Sequence, residues 1–336
     1  KCLLKNASTF PKRVRSLISP RTTMVCVAPV HSGFATRGSV RRAFQTRTPA
    51  VVPFRQVQTR HARFANRHIV AAADSDDFDL TEEDIDLEFV GGEFVVEAFD
   101  DSDALATALC METVENAKAC IEERGAFTFA VPGGSVAKSL KGLADAKDVD
   151  WSKVHLFFVN ERVPGNKCYD LAMDVWAKDC GIPIENIHKV EGDSTQSAAA
   201  DYAAQLRNCD KNQLPIDDAN GLPVFDLILL GMGADGHVGS IYPNSEALKD
   251  ESGEPVLAVD MPEKKSITMS LALINTADRV VVAASGSSKA ETVRLALEDE
   301  ECQLPGALCD AFSQIWFLDK EAASKLQAYE EMEEEE

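Results

Sequence analysis

Short, uninterrupted apolar segments are the feature of this sequence that most limits its fold. Their apolar residues occupy consecutive positions, which is typical of strands covered on both faces and therefore of a parallel sheet beneath helices. Five such segments are predicted as strands, at residues 127–131, 154–159, 225–230, 279–284 and 315–318. Segments with helical character alternate with them, at residues 103–124, 135–143, 169–180, 194–208 and 287–297.

This alternation predicts an α/β fold, an open doubly wound and mainly parallel sheet with helices on both faces, formed by residues 93–325. A stretch of roughly 230 residues can form one domain with a substantial core. In such sheets, ligands bind outside the carboxyl ends of the strands. Loops that follow the predicted strands are therefore where functional residues are expected.

The two ends of the chain differ from its middle. Residues 1–73 contain 14 Lys and Arg and no Asp or Glu, a composition typical of a disordered organelle transit peptide. The alternative is a disordered basic tail that binds nucleic acid. Residues 74–92 are expected to form an acidic linker, and residues 326–336 an acidic tail. A plastid-like cleavage site near Ala72 favours the plastid stroma, with the mitochondrion as the alternative.

Charge and cysteine content narrow the classes of partner. The chain has 34 basic residues, and without the 14 of the leader 20 remain against 55 acidic ones, a formal charge of −35. This balance argues against binding to nucleic acid or to anionic membranes. Nine cysteines show no CxxC motif and no spacing that suggests a metal site, so no metal is predicted. Free thiols are expected, and redox control through Cys302 and Cys309 is the alternative.

Four loops at predicted strand ends carry unusual residues. Gly133, Gly134 and Ser135 lie between a strand and a helix, where backbone N–H groups can cradle a phosphate. An ordinary tight turn is the alternative. Arg162 follows the next strand, and its guanidinium suits a phosphate, although a surface salt bridge with Glu161 would explain it equally well.

The third loop, GMGADGHVGSIYP, contains His237, placed among Gly233, Gly236 and Gly239 and two residues after Asp235. Its imidazole can serve as a base near neutral pH. His155 and His188 are expected to be structural. Because no nucleophilic Ser or Cys is paired with His237 in an elbow motif, water is the simplest nucleophile.

In the fourth loop, the pattern Ser288-x-x-Glu291 predicts a capping box, which would place Lys289 in the first helical turn. A cation is disfavoured there, and a bound anion would relieve the conflict. The alternative is a lysine that faces solvent. No Walker motif, dinucleotide fingerprint or HExxH motif occurs in the sequence, and no cofactor is predicted.

The motifs VPGGS, FFVNER, DLILLGMGADGHVGSIYP and SLALINTADRVVVAASGSSKAE, with the late LPG and IWFLDK, resemble the 6-phosphogluconolactonases across residues 93–325. Glucosamine-6-phosphate deaminases share the fold of this superfamily. They typically continue from the histidine into Asn-Glu-Pro and carry a tyrosine where this chain has Arg162. The segment after His237, which ends in Tyr242 and Pro243, and Arg162 both favour the lactonase.

The resemblance implies cofactor-free hydrolysis of 6-phospho-D-glucono-1,5-lactone by a monomer. His237 corresponds to the general base, and Asp235 would orient its loop. The residues that would hold the phosphate or stabilise the oxyanion are Gly133, Gly134, Ser135, Arg162 and Lys289, with Glu161, Gly233 and Gly236 in support. A deaminase acting on an amino sugar phosphate and a non-catalytic sugar-phosphate-binding protein are the alternatives.

The chain departs from the family pattern at three places. Asn160 replaces an aspartate, and only six residues separate Arg162 from Tyr169, so a Ser-Asn pair is missing. Ser266 stands where an arginine is common, and Lys264 or Lys265 could substitute for it. These changes affect the expected substrate contacts more than the fold.

Overall fold

A computed structural model describes residues 93–327 of the chain. The predicted transit peptide, the acidic linker and residues 328–336 of the acidic tail lie outside the described residues. At the carboxyl end, Leu326 is buried, and the N–H of Gln327 donates to Glu298 at 2.7 Å. The packed part of the chain therefore includes the first two residues of the predicted tail.

The described residues form nine strands. They are β1 (Glu93–Phe99), β2 (Phe127–Val131), β3 (Val154–Phe158), β4 (Asn160–Arg162), β5 (Leu227–Gly231), β6 (Val256–Met261), β7 (Lys264–Met269), β8 (Arg279–Ala284) and β9 (Ser313–Asp319). Six of them form one sheet in the order β1-β9-β8-β5-β2-β3, and every neighbouring pair is parallel. The predicted parallel sheet is confirmed.

Among the described residues, seven α-helices lie between these strands and an eighth follows β9. They are α1 (Ser102–Arg124), α2 (Gly134–Ser139), α3 (Lys167–Ala172), α4 (Lys178–Cys180), α5 (Thr195–Asn208), α6 (Leu271–Ile274), α7 (Ala290–Glu298) and α8 (Lys320–Ala323). Local chemistry sets the ends of α1, where the Asp101 side chain accepts from Asp103 and Ala104 N–H, and Gly125 at φ 81° ends the helix. No helix among residues 93–327 is long and apolar enough to span a membrane.

Side chains along each strand alternate between two buried clusters. Phe127 and Phe129 of β2 pack on one face of the sheet with Leu109 of α1, whereas Ala130 packs on the opposite face with Tyr202 of α5. Full burial of such a side chain stabilises the fold by about 1.5–3 kcal/mol. Both faces are thus covered by helices, which is why these strands are apolar at consecutive positions.

A second sheet was not predicted. Strands β4, β7 and β6 form a small antiparallel sheet in which Arg162 lies opposite Ser266. The five predicted apolar strands did not include β1, β4, β6 or β7. The first four residues of β7 run from two exposed lysines to buried Ser266 and Ile267, so this strand lacks the continuous apolar signal of one covered on both faces.

The strand order places the functional loops. From β2 the chain continues outward to β3, whereas from β5 it continues in the opposite direction to β8 and β9. The winding therefore changes direction between β2 and β5, which is where a crevice opens at the carboxyl ends of a doubly wound sheet. The glycine-rich turn after β2 and the histidine loop after β5 flank this position.

Candidate active site

The loop after β5 folds back on itself through its own backbone. Met232 and Val238 form an antiparallel bridge, the N–H of Gly233 donates to the carbonyl of His237 at 2.9 Å, and the N–H of Gly236 donates to the carbonyl of Gly233 at 2.9 Å. Because these bonds close a tight turn directly after a buried strand, the His237 side chain starts from a fixed backbone position at the sheet edge.

The side chains of His237 and Asp235 are hydrogen-bonded to each other. Oδ1 of Asp235 lies 2.5 Å from Nδ1 of His237 and also accepts from the His237 N–H at 3.2 Å. A carboxylate that accepts from Nδ1–H favours the tautomer with an unprotonated Nε2, the form that can accept a proton. The His237 side chain is 31% exposed, so solvent reaches it.

The pKa of the Asp235 carboxyl reflects this pairing. Partial burial raises the pKa, but hydrogen bonds from the ring and the backbone N–H of His237 outweigh burial and leave the pKa below its usual value. The carboxylate therefore remains ionised near neutral pH. An ionised partner at Nδ1 stabilises the imidazolium that forms when the ring takes up a proton.

Two glycines make room for this pair. A Cβ at Gly233 would lie 2.2 Å from Nδ1 of His237 and 2.7 Å from Oδ1 of Asp235, so only glycine fits beneath the two side chains. Gly236 has φ +84°, and a Cβ there would approach the Leu304 side chain to 3.0 Å. The two residues predicted to support the histidine loop are thus sterically required by it.

Tyr242 and Lys264 extend the surroundings of His237. The rings of His237 and Tyr242 are 4.7 Å apart between centroids, and Nζ of Lys264 lies 5.9 Å from the Tyr242 centroid. Lys265 is instead paired in register with Asp260. Of the two lysines considered as substitutes for the missing arginine, Lys264 is the one that the structure brings towards the histidine. From the sequence, Tyr242 was noted only as part of the motif GMGADGHVGSIYP and was not predicted as a site residue.

Glu161 does not form the salt bridge with Arg162 that was the alternative to phosphate binding. Its buried carboxylate accepts from the backbone N–H groups of Arg162 at 2.7 Å, Cys168 at 2.9 Å and Tyr169 at 2.9 Å, and so caps α3. Within residues 93–327, the guanidinium of Arg162 takes part in no ion pair. It is therefore available to bind an anion.

The predicted capping box at the start of α7 is wrong. Residues Ser287–Lys289 form a 3-10 turn, and Lys289 itself occupies the N-cap position without a side-chain cap. Glu291 pairs with Arg294 at 2.8 Å and Lys325 at 3.0 Å and is not a cap. The turn is held from β9 and α8, because Asp319 and Glu321 accept the N–H groups of Gly286 and Ser287.

Lys289 is a half-buried cation. Burial lowers the pKa of its ammonium group, and the negative charge of Asp319 opposes that effect. In the described part of the chain, the ammonium group has no ion-pair partner within salt-bridge distance. A partly desolvated ammonium group without a counter-ion favours the binding of an anion.

The glycine turn after β2 is exposed at its tip. Gly134 has φ +73° and begins α2, and both Gly134 and Ser135 are exposed. Gly133 packs inward, and a Cβ there would lie 2.7 Å from Sγ of Cys168. Since the N–H of Cys168 is held by Glu161, this turn and the segment that carries Arg162 pack as one unit.

Side-chain hydrogen bonds link three of the four loops. Nδ2 of Asn160 donates to Oγ of Ser240 at 3.1 Å, which joins β4 to the histidine loop, and Oγ1 of Thr292 donates to the carbonyl of Ala234 at 2.7 Å, which joins α7 to it. Among the described residues, no hydrogen bond or ion pair connects the His237 ring directly to Arg162 or Lys289.

A cavity of about 920 Å³ lies beside this arrangement, between α1 and α2, and reaches Ser135 and residues 283–285. Its walls include neither His237 nor Arg162 nor Lys289. The His237–Asp235 pair therefore lies outside this cavity, whereas Ser135 of the glycine turn belongs to its wall.

The two cysteines considered for redox control are both buried. Burial raises the pKa of Cys309 to about 12. A thiol with so high a pKa contains almost no thiolate at neutral pH and reacts slowly with oxidants. The structure therefore provides no activated thiol at Cys309.

Known proteins resemble this chain in sequence and in fold. Residues 100–316 match the family described as glucosamine-6-phosphate isomerases/6-phosphogluconolactonase. The Arabidopsis thaliana protein "6-phosphogluconolactonase 3, chloroplastic" is 37% identical over 69% of this chain and 75% of its own length. A probable chloroplastic 6-phosphogluconolactonase 4 of Oryza sativa subsp. indica is 34% identical over 68% of this chain and 76% of its own length.

A solved structure agrees with the sequence comparisons. The 6-phosphogluconolactonase from Trypanosoma brucei superposes with a TM-score of 0.59 at 26% identity, covering 70% of this chain and all of that one. The family match spans well over half of the chain, and it includes every loop described above. The chain belongs to the glucosamine-6-phosphate isomerase/6-phosphogluconolactonase family of enzymes.

Proposed function

We propose that this protein hydrolyses 6-phospho-D-glucono-1,5-lactone to 6-phospho-D-gluconate, a step of the oxidative pentose phosphate pathway. One observation carries the proposal: His237 is held by Asp235 at 2.5 Å on a loop hydrogen-bonded to the segments that bear Arg162 and Lys289. A base on a loop joined to two cations that have no ion-pair partner among residues 93–327 suits a neutral ester that carries a phosphate. The names of the relatives reported above point to the same substrate.

In the proposed reaction, Nε2 of His237 removes a proton from water as the water oxygen attacks the lactone carbonyl carbon. The bond between that carbon and the ring oxygen then breaks, and the proton passes from His237 to the departing ring oxygen. Asp235 stabilises the imidazolium between these two steps. Arg162 and Lys289 bind the phosphate together with the N–H groups of the turn at Gly133, Gly134 and Ser135.

The supporting residues position the side chains that would contact the substrate. Glu161 fixes the end of β4 to α3 and so orients Arg162, and Gly233 and Gly236 leave space for the histidine pair. Lys264, whose ammonium group lies near Tyr242, adds a third cation on the side of His237. It offsets the loss of positive charge where this chain has Ser266.

The same proposal includes a location in the plastid stroma. Two relatives carry the word "chloroplastic" in their names, and residues 1–73 are basic and free of acidic residues. Fusion of residues 1–73 to a fluorescent protein tests this point. Import into isolated chloroplasts, with cleavage near Ala72, is expected, whereas import into mitochondria alone would contradict it.

The activity is tested by following 6-phosphogluconate formation from freshly prepared lactone, because only a rate above spontaneous opening counts. Loss of the general base in His237→Ala is expected to lower the rate by about 10²- to 10⁴-fold. His188→Gln is the matched control, a histidine change away from the site. An unchanged rate in His237→Ala would refute the role of the histidine.

Two further outcomes separate the alternatives. Ammonia release from glucosamine 6-phosphate, without acceleration of lactone opening, would identify a deaminase. Binding of 6-phosphogluconate by a protein that does not accelerate lactone opening would identify a non-catalytic binding protein. The short loop after Arg162 and the replacement at Asn160 make the second outcome worth testing directly.

A further inference from the structure

Two carbonyl groups of the histidine loop are held from outside the loop. The carbonyl of Ala234 accepts a hydrogen bond from Oγ1 of Thr292 at 2.7 Å, and the carbonyl of Gly236 accepts from the N–H of Gly306 at 3.0 Å. These two residues flank Asp235, the partner of His237. The position of Asp235 is therefore fixed on one side by α7 and on the other by the turn at residues Pro305–Leu308.

Thr292 lies one helical turn after Lys289, which occupies the N-cap position of α7. The hydroxyl that anchors Ala234 therefore belongs to the same turn of helix that presents the half-buried ammonium group. Moving α7 relative to the histidine loop would move Lys289 relative to Asp235 and His237. Thr292 is 9% exposed, so its hydroxyl is largely shielded from water, although Ala234 itself is exposed.

The choice of residue also points to a role at this contact. A threonine inside a helix commonly donates to the carbonyl four residues earlier, as Thr113 does to Leu109 at 2.8 Å in α1. Thr292 instead donates across to a different loop. Threonine is a weaker helix former than alanine, so local helix stability does not favour it at this position.

We propose that Thr292 is a positioning residue that sets the spacing between the cation at Lys289 and the His237–Asp235 pair through its hydrogen bond to Ala234. This inference rests on the proposed function of Lys289 and His237. In this proposal, α7 presents Lys289 and also fixes its distance from the His237–Asp235 pair. The substrate would span that spacing, with its phosphate at Lys289 and its reacting carbon at His237.

The test compares Thr292→Val, which removes the hydroxyl at nearly constant volume, with Thr292→Ser, which retains it. For Thr292→Val, kcat/KM for the lactone is expected to fall about 10- to 100-fold, because a misplacement of about 1 Å has effects of that size. Thr292→Ser is expected to stay within about threefold of the parent. Since Ala234 is exposed, water can reach its carbonyl in the variant, and folding is expected to survive.

Thr113→Val is the matched control, because it removes another buried helical hydroxyl that bonds only within its own helix. It is expected to lower the melting temperature without changing kcat/KM. Should Thr292→Val fail to accumulate, Thr292→Ala makes the same comparison with a better helix former. A merely structural role for Thr292 predicts the behaviour of Thr113→Val.

A double-mutant cycle with Lys289→Ala provides the decisive readout. If Thr292 acts by placing the lysine, Thr292→Val should raise KM strongly in the parent but by less than about twofold in the Lys289→Ala background. Equal effects in both backgrounds, or a Thr292→Val enzyme with unchanged kcat/KM, would overturn the inference. Absence of lactone hydrolysis in the parent protein would instead refute the proposed function. In that case, calorimetry would compare the binding of 6-phosphogluconate to the parent and to Thr292→Val, and so test the spacing independently of catalysis.

Discussion

The carboxylate of Asp319, at the end of β9, accepts two hydrogen bonds from the backbone N–H of Gly286, at 3.0 and 2.9 Å. Gly286 begins the turn that leads to Lys289, and the charge of Asp319 is the electrostatic influence that keeps the pKa of Lys289 from falling further. The last strand of the parallel sheet thus controls both the shape and the charge of a loop that follows its neighbour, β8.

Replacement of Asp319 by asparagine should weaken substrate binding through Lys289. Loss of the negative charge lowers the pKa of the ammonium group, so the alkaline increase in KM should begin at a lower pH than in the parent. The value of kcat should change little. Asp150→Asn, which removes a capping carboxylate at the opposite, amino-terminal edge of the sheet, is the control for KM measured across pH.

Replacement of Gly233 by alanine should disable the histidine pair. The added methyl group would lie 2.2 Å from Nδ1 of His237, so the ring or the loop must move. Because small displacements of a catalytic group are costly, kcat should fall about 100-fold or more. Gly253→Ala introduces strain at φ +75° but meets no neighbour, and it should reduce stability while leaving kcat unchanged.

Removal of the Lys289 side chain should affect binding more than turnover. An interaction made equally with substrate and transition state raises KM when it is lost and leaves kcat nearly constant. For Lys289→Ala, an increase in KM of about 10- to 100-fold is expected, corresponding to about 1.4–2.8 kcal/mol. Lys249→Ala, at an exposed i,i+3 pair with Glu246, is the control. A fall in kcat with constant KM would place the lysine at the reacting carbonyl instead.

Stability should decrease as the pH falls from about 6.5 towards 4. His188 stacks on Phe157 at 3.9 Å and hydrogen-bonds His155 at 3.3 Å. Burial, with a smaller contribution from His155, lowers the pKa of His188 to about 4. A folded-state pKa below the unfolded value near 6.5 means that the unfolded chain binds the proton more tightly, so stability present above pH 6.5 is lost on acidification.

This loss should be about 2 kcal/mol at pH 5 and about 3 kcal/mol near pH 4, and urea unfolding at pH 7, 6, 5 and 4 can measure it. Burial, with a smaller contribution from the charge of Arg124, lowers the pKa of His155 as well. In His188→Gln the dependence on pH should flatten. A parent protein equally stable at pH 5 and 7 would contradict the assignment.

The sequence by itself determined the parallel sheet and the loops that carry chemistry. Continuous apolar segments such as residues 127–131 specify strands covered on both faces, and glycines beside His237 indicate a loop that must turn sharply. These features are local, so spacing and residue type suffice to find them. The same local reasoning placed His237, Arg162 and Lys289 at strand ends.

Only the tertiary structure decided what those residues contact. A salt bridge between Glu161 and Arg162 was the alternative to phosphate binding, but Glu161 instead caps α3, because that helix starts beside β4 with unpaired N–H groups. The capping box at Ser288 does not form because Asp319, from a distant part of the sequence, holds the turn before Lys289. The small sheet of β4, β6 and β7 and the bond from Thr292 to Ala234 likewise join segments far apart in sequence, whose distances local residue patterns do not encode.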